Sequence, residues 1–175
     1  NLGRLEEIRV AHMAATEAEP TEDLPVIVHL GYGVHGNETS SAEAAMLTAY
    51  WLVAGTGSDV AQYLDEGVYH VEPVLNPDGR DRHTNWANMH RSEPFVTDPL
   101  DREHNEVWPG GRTNHYWFDL NRQWLLLTQP EPRAWMRKWH EWRPNLTVDY
   151  HEMSSESTYY FHPGVATRTN PLVPD

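Results

Sequence analysis

Apolar residues form two kinds of pattern along this chain. Three short runs rich in β-branched residues predict strands, at residues 24–30, 68–75 and 145–150. Four stretches with apolar residues about every 3.6 positions predict helices, at residues 1–18, 39–55, 60–64 and 130–142. Strands that alternate with helices predict an α/β domain with a largely parallel sheet.

Two polar stretches interrupt this pattern, one over residues 76–118 and one beyond His151. Loops of this length in compact domains are usually functional or disordered. Because Trp86, Trp108 and Tyr116 lie within the first stretch, we predict that it is an ordered loop. The length of 175 residues predicts a single domain over residues 1–175.

The composition excludes several classes of function. The net charge of −13 comes without a basic stripe that could neutralise phosphates, which argues against nucleic-acid binding. The absence of cysteine excludes disulfides, thiolate metal sites and a cysteine nucleophile. No apolar run approaches the roughly 20 residues that a membrane span requires.

Polar side chains follow each of the three predicted strands. His35 and Glu38 follow the first strand, Asn76 and Asp78 the second, and His151 the third. In parallel sheets, ligands gather beyond the carboxyl ends of the strands, so we expect these clusters to meet.

His35, Glu38 and His151 form a His₂Glu set, which suits a catalytic zinc ion with an open fourth position; iron and manganese also fit these ligand types. Asp149 precedes His151 by two residues, so on a strand it points to the same side and could orient that ligand. The competing interpretation is that these histidines are incidental, since a histidine after a strand is usually structural and the spacing is not HExxH.

Arginines near these clusters have two interpretations as well. Guanidinium groups at Arg91, Arg112 and Arg122 could hold an anionic end of a substrate, because they match carboxylates in a fork geometry. For any single arginine of the polar stretch, pairing with the abundant surface acids is the simpler interpretation.

Four motifs occur in an order that is specific when they are taken together. They are HGNE (35–38), NPDG (76–79), FDLNRQW (118–124) and VDYH (148–151). In this order and approximate spacing they resemble the M14-type zinc metallocarboxypeptidases, over roughly residues 29–164. The resemblance implies a three-layer α/β/α sandwich around a twisted, mixed, largely parallel sheet, and one Zn²⁺ ion.

The resemblance also implies roles for individual residues. His35, Glu38 and His151 would be the zinc ligands, and Asn121 with Arg122 would hold the terminal carboxylate of a peptide or protein substrate. Arg91 is predicted to polarise the scissile carbonyl, with Arg80 and Arg82 as rivals. The implied reaction is hydrolysis of the C-terminal peptide bond, and the family suggests a secreted or periplasmic location.

One departure from the family pattern changes the expectation. The general-base glutamate and the mobile tyrosine of the family have no matching positions here, and Glu152 should face away from His151. We therefore expect an incomplete catalytic domain that binds zinc and hydrolyses little. Two alternatives stay open: a zinc-dependent deacylase or amidase acting on N-acyl amino acids or peptidoglycan stem peptides, and a non-enzymatic binding domain.

Overall fold

The computed structural model describes residues 1–15 and 24–153. Its elements in chain order are a 3-10 turn at Leu2–Arg4, α1 (Leu5–Ala14), β1 (Val26–Tyr32), α2 (Thr39–Ala54), α3 (Ser58–Glu66), β2 (Gly67–Glu72), α4 (Pro77–His90), a 3-10 turn at Leu120–Arg122, α5 (Pro130–Trp142) and β3 (Leu146–Tyr150). All three predicted strands and all four predicted helices exist, with boundaries shifted by a few residues. Residues 16–18 of the predicted first helix lie outside the described ranges.

The three strands form one sheet with β1 in the centre and β2 and β3 on either side. Both pairings are parallel, with Val28 opposite Tyr69 on one side and Leu146 on the other. The central strand is buried from Ile27 to its end, as its apolar run predicted. The predicted α/β architecture is confirmed, and each pairing within residues 1–15 and 24–153 is parallel.

Helices cover both faces of the sheet, which gives three layers. On one face Val28, Leu30 and Tyr32 of β1 pack against Ala45 of α2. On the opposite face Ile27 and Val68 pack against Ile8 of α1, and Trp142 of α5 lies against this group. Successive side chains of a strand point to opposite faces, so a single apolar strand supplies both cores.

The prediction of a loop over residues 76–118 is wrong for the first third of that stretch, because residues 77–90 form α4. Its sequence, PDGRDRHTNWANMH, lacks an apolar stripe, so the periodicity did not indicate a helix. The start signal was present: Asn76 caps the helix, its side chain accepts a hydrogen bond from Gly79 N, and Pro77 occupies the first turn. This helix therefore depends on its cap and on polar contacts.

Candidate metal centre

The loop that carries His35 and Glu38 leaves the end of β1 and is held against the segment after β2. Leu75 N donates to Tyr32 O over 2.8 Å, and Asn76 N donates to Gly33 O over 3.1 Å. Gly33 has a φ of +67°, a left-handed conformation that favours glycine and turns the chain sharply. His35 follows two residues later and is only 2% exposed, so its ring is fixed in place.

His35, Glu38 and His151 converge on one point. His35 Nδ1 lies 2.8 Å from Glu38 Oε1, and His151 Nδ1 lies 3.0 Å from Glu38 Oε2. One donor atom from each residue lies within 4.8 Å of the others. The loop after β1 and the end of β3 thus bring together two imidazoles and a carboxylate, and the contact between Glu38 and His151 spans 113 residues of sequence.

Each ligand histidine is held by a second carboxylate on its far nitrogen. His35 Nε2 lies 3.0 Å from Asp119 Oδ1, and His151 Nε2 lies 2.9 Å from Asp149 Oδ2. A carboxylate on Nε2 fixes the tautomer that leaves Nδ1 free to face a metal. The contact between Asp149 and His151 on which the predicted orienting role depends is present; the corresponding contact of Asp119 was missed, although Asp119 lies two residues before Asn121 in its motif.

The carboxyl groups of Glu38 and of the neighbouring Asp119 stay ionised although both are partly buried. Burial alone would raise the pKa of Glu38, but hydrogen bonds from His35, from the backbone N–H of Glu152 and from His151 outweigh it and lower that pKa. For Asp119, burial likewise acts to raise the pKa, and the His35 hydrogen bond and the charge of Arg112 lower it overall. The cluster is therefore an anionic site, as a cation requires.

The guanidinium group of Arg112 contacts this cluster. Its Nη2 lies 3.0 Å from Asp119 Oδ2, and its Nη1 lies 3.7 Å from Glu38 Oε1 and 3.3 Å from His35 Nδ1. The sequence marked Arg112 only as one of several candidates for holding an anion. Its contacts place a permanent positive charge beside two of the candidate metal donors.

Within the described residues, none of the three arginines predicted for carbonyl polarisation is hydrogen-bonded or ion-paired to His35, Glu38 or His151. Arg91 follows the last residue of α4, and 15 residues at about 1.5 Å of rise place it roughly 22 Å along the axis from Asn76. Arg80 pairs with Glu43 at 2.7 Å. Arg82 donates to the carbonyls of residues 110, 113 and 114 and stacks on the Trp117 ring, so its role is structural.

Asn121 and Arg122, predicted to hold a substrate carboxylate, lie on the 3-10 turn next to the cluster. Asn121 Nδ2 lies 3.3 Å from His151 Nε2, and its Oδ1 accepts from Trp124 Nε1. Arg122 is exposed and donates to Asn121 O over 3.0 Å. Across residues 1–15 and 24–153 no carboxylate lies within ion-pair distance of Arg122, which leaves its guanidinium available for an anionic ligand.

Glu152 is engaged at the start of α2. Its carboxylate accepts a hydrogen bond from Ser40 N, and its backbone N–H donates to Glu38 Oε2 over 2.9 Å. A carboxylate is stabilised at a helix N-terminus by the unpaired N–H groups there. Glu152 thus ties the end of β3 to the loop that carries two of the ligands.

The donor set fits a zinc ion. Zinc bound by imidazole and carboxylate at about 2.0–2.1 Å in tetrahedral geometry requires donors about 3.3 Å apart, close to the distances between the nitrogens of this cluster and Glu38. Both imidazoles have their second nitrogen on a carboxylate, which is the usual arrangement around zinc. Three protein donors leave one position for water or substrate, as in catalytic sites.

Comparisons with known proteins agree with this geometry. The family model described as zinc carboxypeptidase matches residues 6–170. No curated protein and no solved structure gives a significant match.

Among the helices of the described ranges, none is both long and apolar enough to cross a membrane.

Proposed function

The chain belongs to the zinc carboxypeptidase family, and we propose that it binds one zinc ion through His35, Glu38 and His151 and acts on the C-terminal peptide bond of peptides or proteins. Zinc bound in such a site supplies an acidified water molecule and polarises a carbonyl oxygen. A secreted or periplasmic location is a further prediction of the family resemblance.

The chain's own residues bind and orient such a substrate. We assign the terminal carboxylate to Arg122, with Asn121 beside it, because a free guanidinium binds a carboxylate in a bidentate fork. We assign polarisation of the scissile carbonyl to Arg112 in place of Arg91, because among the arginines of residues 1–15 and 24–153 only Arg112 contacts the cluster. A fixed cation aimed at the developing oxyanion is a large source of transition-state stabilisation.

The observation that carries this proposal is the convergence of three donor atoms and two guanidinium-bearing segments at one edge of the sheet. A single histidine–carboxylate contact is common in proteins and indicates little. Two imidazoles that share one carboxylate, each with a second carboxylate behind it, match the inner and outer layers of side chains around bound metals, which supports the proposal.

We also propose that turnover by this chain is slow. Within the part of the chain that the structure describes, the carboxylates at the cluster are all engaged: Asp119 and Asp149 bond the ligand imidazoles, and Glu152 bonds the start of α2. A general base contributes about 10²–10⁴-fold to a rate. Binding of metal and substrate is therefore expected to exceed catalysis.

A second candidate function keeps the site and changes the substrate. Arg122 and Asn121 suit any ligand with a free carboxylate, so N-acyl amino acids and peptidoglycan stem peptides fit the same contacts. A non-enzymatic binding domain would instead show no dependence on zinc.

The test is the binding of a phosphinic tripeptide, a mimic of the tetrahedral transition state, to the zinc-loaded 175-residue chain. We expect binding to require a free C-terminal carboxylate and to weaken about 10- to 100-fold in Arg112→Met, the loss expected for a hydrogen bond between charged groups. Arg91→Met is the matched control and should bind as the parent chain does.

Four results would contradict parts of the proposal. Equal affinity for the amidated tripeptide would exclude carboxylate recognition. A larger loss in Arg91→Met than in Arg112→Met would restore Arg91 as the polarising residue. Tighter binding of phosphinic acyl amino acids or stem-peptide mimics would favour the second candidate function, and fast metal-dependent release of C-terminal residues would overturn the low turnover.

A further inference from the structure

A nearly buried carboxylate lies outside the metal cluster, in the segment between α4 and the second 3-10 turn. The side chain of Glu106 is only 12% exposed. Burying an ionised carboxylate is costly unless hydrogen bonds satisfy both of its oxygens. The partners of Glu106 therefore show what this buried charge is used for.

Glu106 bonds three separate segments of the chain. Its Oε2 accepts from Asn37 Nδ2 over 2.9 Å, and Asn37 lies between the ligands His35 and Glu38. Its Oε1 accepts from Gly111 N over 2.7 Å and lies 2.9 Å from His83 Nδ1 of α4. Both oxygens are satisfied, and each partner belongs to a different segment.

The same three segments meet backbone to backbone. A Cβ atom on Gly36 would lie 2.1 Å from Arg80 N, one on Gly79 would lie 2.4 Å from Gly111 O, and one on Gly111 would lie 2.5 Å from His83 Cβ. None of these distances is sterically possible, so only glycine fits at the three positions. The ligand loop, α4 and the segment before Arg112 are thus in direct contact, with Glu106 bonded to all of them.

These contacts join two parts of the proposed site, the loop that carries His35 and Glu38 and the segment that carries Arg112. Asn37 is in the loop that supplies two metal ligands, and Gly111 immediately precedes Arg112, whose guanidinium faces those ligands. A bond from one carboxylate to both segments fixes the distance between the ligands and the guanidinium.

We propose that Glu106 is a positioning residue that fixes the ligand loop relative to Arg112. This inference rests on the proposed zinc site and adds to it a residue that contacts neither metal nor substrate. The alternative is that Glu106 only anchors its segment to α4 through His83. In the proposal the important contact of Glu106 is the one with Asn37, whereas in the alternative it is the one with His83.

Zinc affinity of the parent chain and its variants separates these alternatives. Glu106→Gln leaves one acceptor oxygen for the two donors Asn37 Nδ2 and Gly111 N, and it should lower zinc affinity about tenfold, at the low end for residues that support metal ligands. Asn37→Ala should give a similar loss, and the double variant should lose no more than the weaker-binding single variant, because both remove one contact. Glu103→Gln, in the same segment but bonded to Val96 N, is the matched control and should change nothing.

His83→Gln tests the alternative directly. If Glu106 served only to anchor α4, His83→Gln would reproduce the effect of Glu106→Gln and Asn37→Ala would have none. That outcome, or unchanged zinc affinity in both Glu106→Gln and Asn37→Ala, would overturn the proposal.

Hydrogen exchange of the metal-free chain keeps this test independent of zinc binding. In Glu106→Gln the amides of residues 36–38 and 111–113 should exchange faster together, whereas in Glu103→Gln they should not. A parent chain that binds no zinc but shows this coupled change would contradict the proposed function and support the role of Glu106. A parent chain that binds zinc, with exchange and affinity unchanged in Glu106→Gln, would overturn the role of Glu106 alone.

Discussion

Two clusters of histidine and carboxylate lie on the same small sheet, and among the described residues only one brings three donor atoms together as a metal site requires. We call His35, Glu38 and His151 the strand-end cluster, and His29, His70 and Glu72 the strand-face cluster. In the first, every imidazole nitrogen has a carboxylate within 3.0 Å. In the second, His29 Nδ1 is buried without a partner, and His29 Nε2 lies 3.7 Å from Glu72 Oε2, beyond hydrogen-bond distance.

The difference follows from where the side chains begin. His29 and His70 are register partners on adjacent parallel strands, so their side chains leave the same face side by side. Among the described residues, these side chains do not form a group of three donor atoms close enough to hold one ion. His35 and His151 leave the ends of β1 and β3 on loops, which can turn their rings toward Glu38. Proximity of histidines to a carboxylate therefore indicates a metal site only when the donors converge and have partners behind them.

Removing one outer carboxylate from each cluster gives the largest expected contrast. Asp119→Asn weakens the acceptor that fixes the His35 tautomer, so zinc affinity should fall about 10- to 100-fold. Glu72→Gln removes the charge near His29 and should leave zinc affinity within about twofold. Competition with a fluorescent zinc chelator measures both. An equal loss in the two variants would show that the clusters do not differ in the way described.

The sequence predicted the scaffold and the convergence of His35, Glu38 and His151, because both depend on local patterns. The apolar run of β1 indicates its burial, and three polar clusters after three strands indicate an edge where ligands gather. The supporting contacts were harder to predict. Arg112 reaches the cluster only because the 91–118 segment folds back onto α4, and no periodicity in its sequence shows that path.

The failure to predict α4 has the same cause. Residues 77–90 have no apolar face, so α4 was predicted as a loop, and the position of Arg91 at its far end could not be foreseen. Asn76 and Pro77 were sufficient to indicate a helix start. Motif order predicted which residues form the site, whereas the choice among Arg80, Arg82, Arg91 and Arg112 required the three-dimensional path of the chain.

The strand-face cluster is expected to affect only the free energy of unfolding, and this effect is smaller than the changes in zinc affinity predicted above. Burial lowers the pKa of His70, the charges of His29 and Lys138 lower it further, and Glu72 and Glu141 oppose them. Because the pKa is lower in the folded chain, the unfolded chain binds more protons, and the free energy of unfolding falls as the pH drops through about 6.5, the usual histidine value. This loss levels off below the folded pKa.

Thermal unfolding at pH 7 and pH 5 tests this expectation. The difference in Tm between the two pH values should be a few degrees smaller in His70→Gln than in the parent chain. His115→Gln, at an exposed position with only a distant pairing to Asp78, should keep the parent's pH dependence. An unchanged pH dependence in His70→Gln would show that His70 does not titrate as its burial implies.

The central claim is that this chain holds one zinc ion at the strand-end cluster, and X-ray absorption with zinc titration tests it most directly. We expect one ion per chain, with nitrogen and oxygen donors at about 2.0–2.2 Å and the scattering signature of two imidazoles. His35→Ala should abolish tight binding, and the double variant His29→Gln/His70→Gln should retain it. No bound zinc, or zinc that survives His35→Ala and is lost in the double variant, would contradict the account.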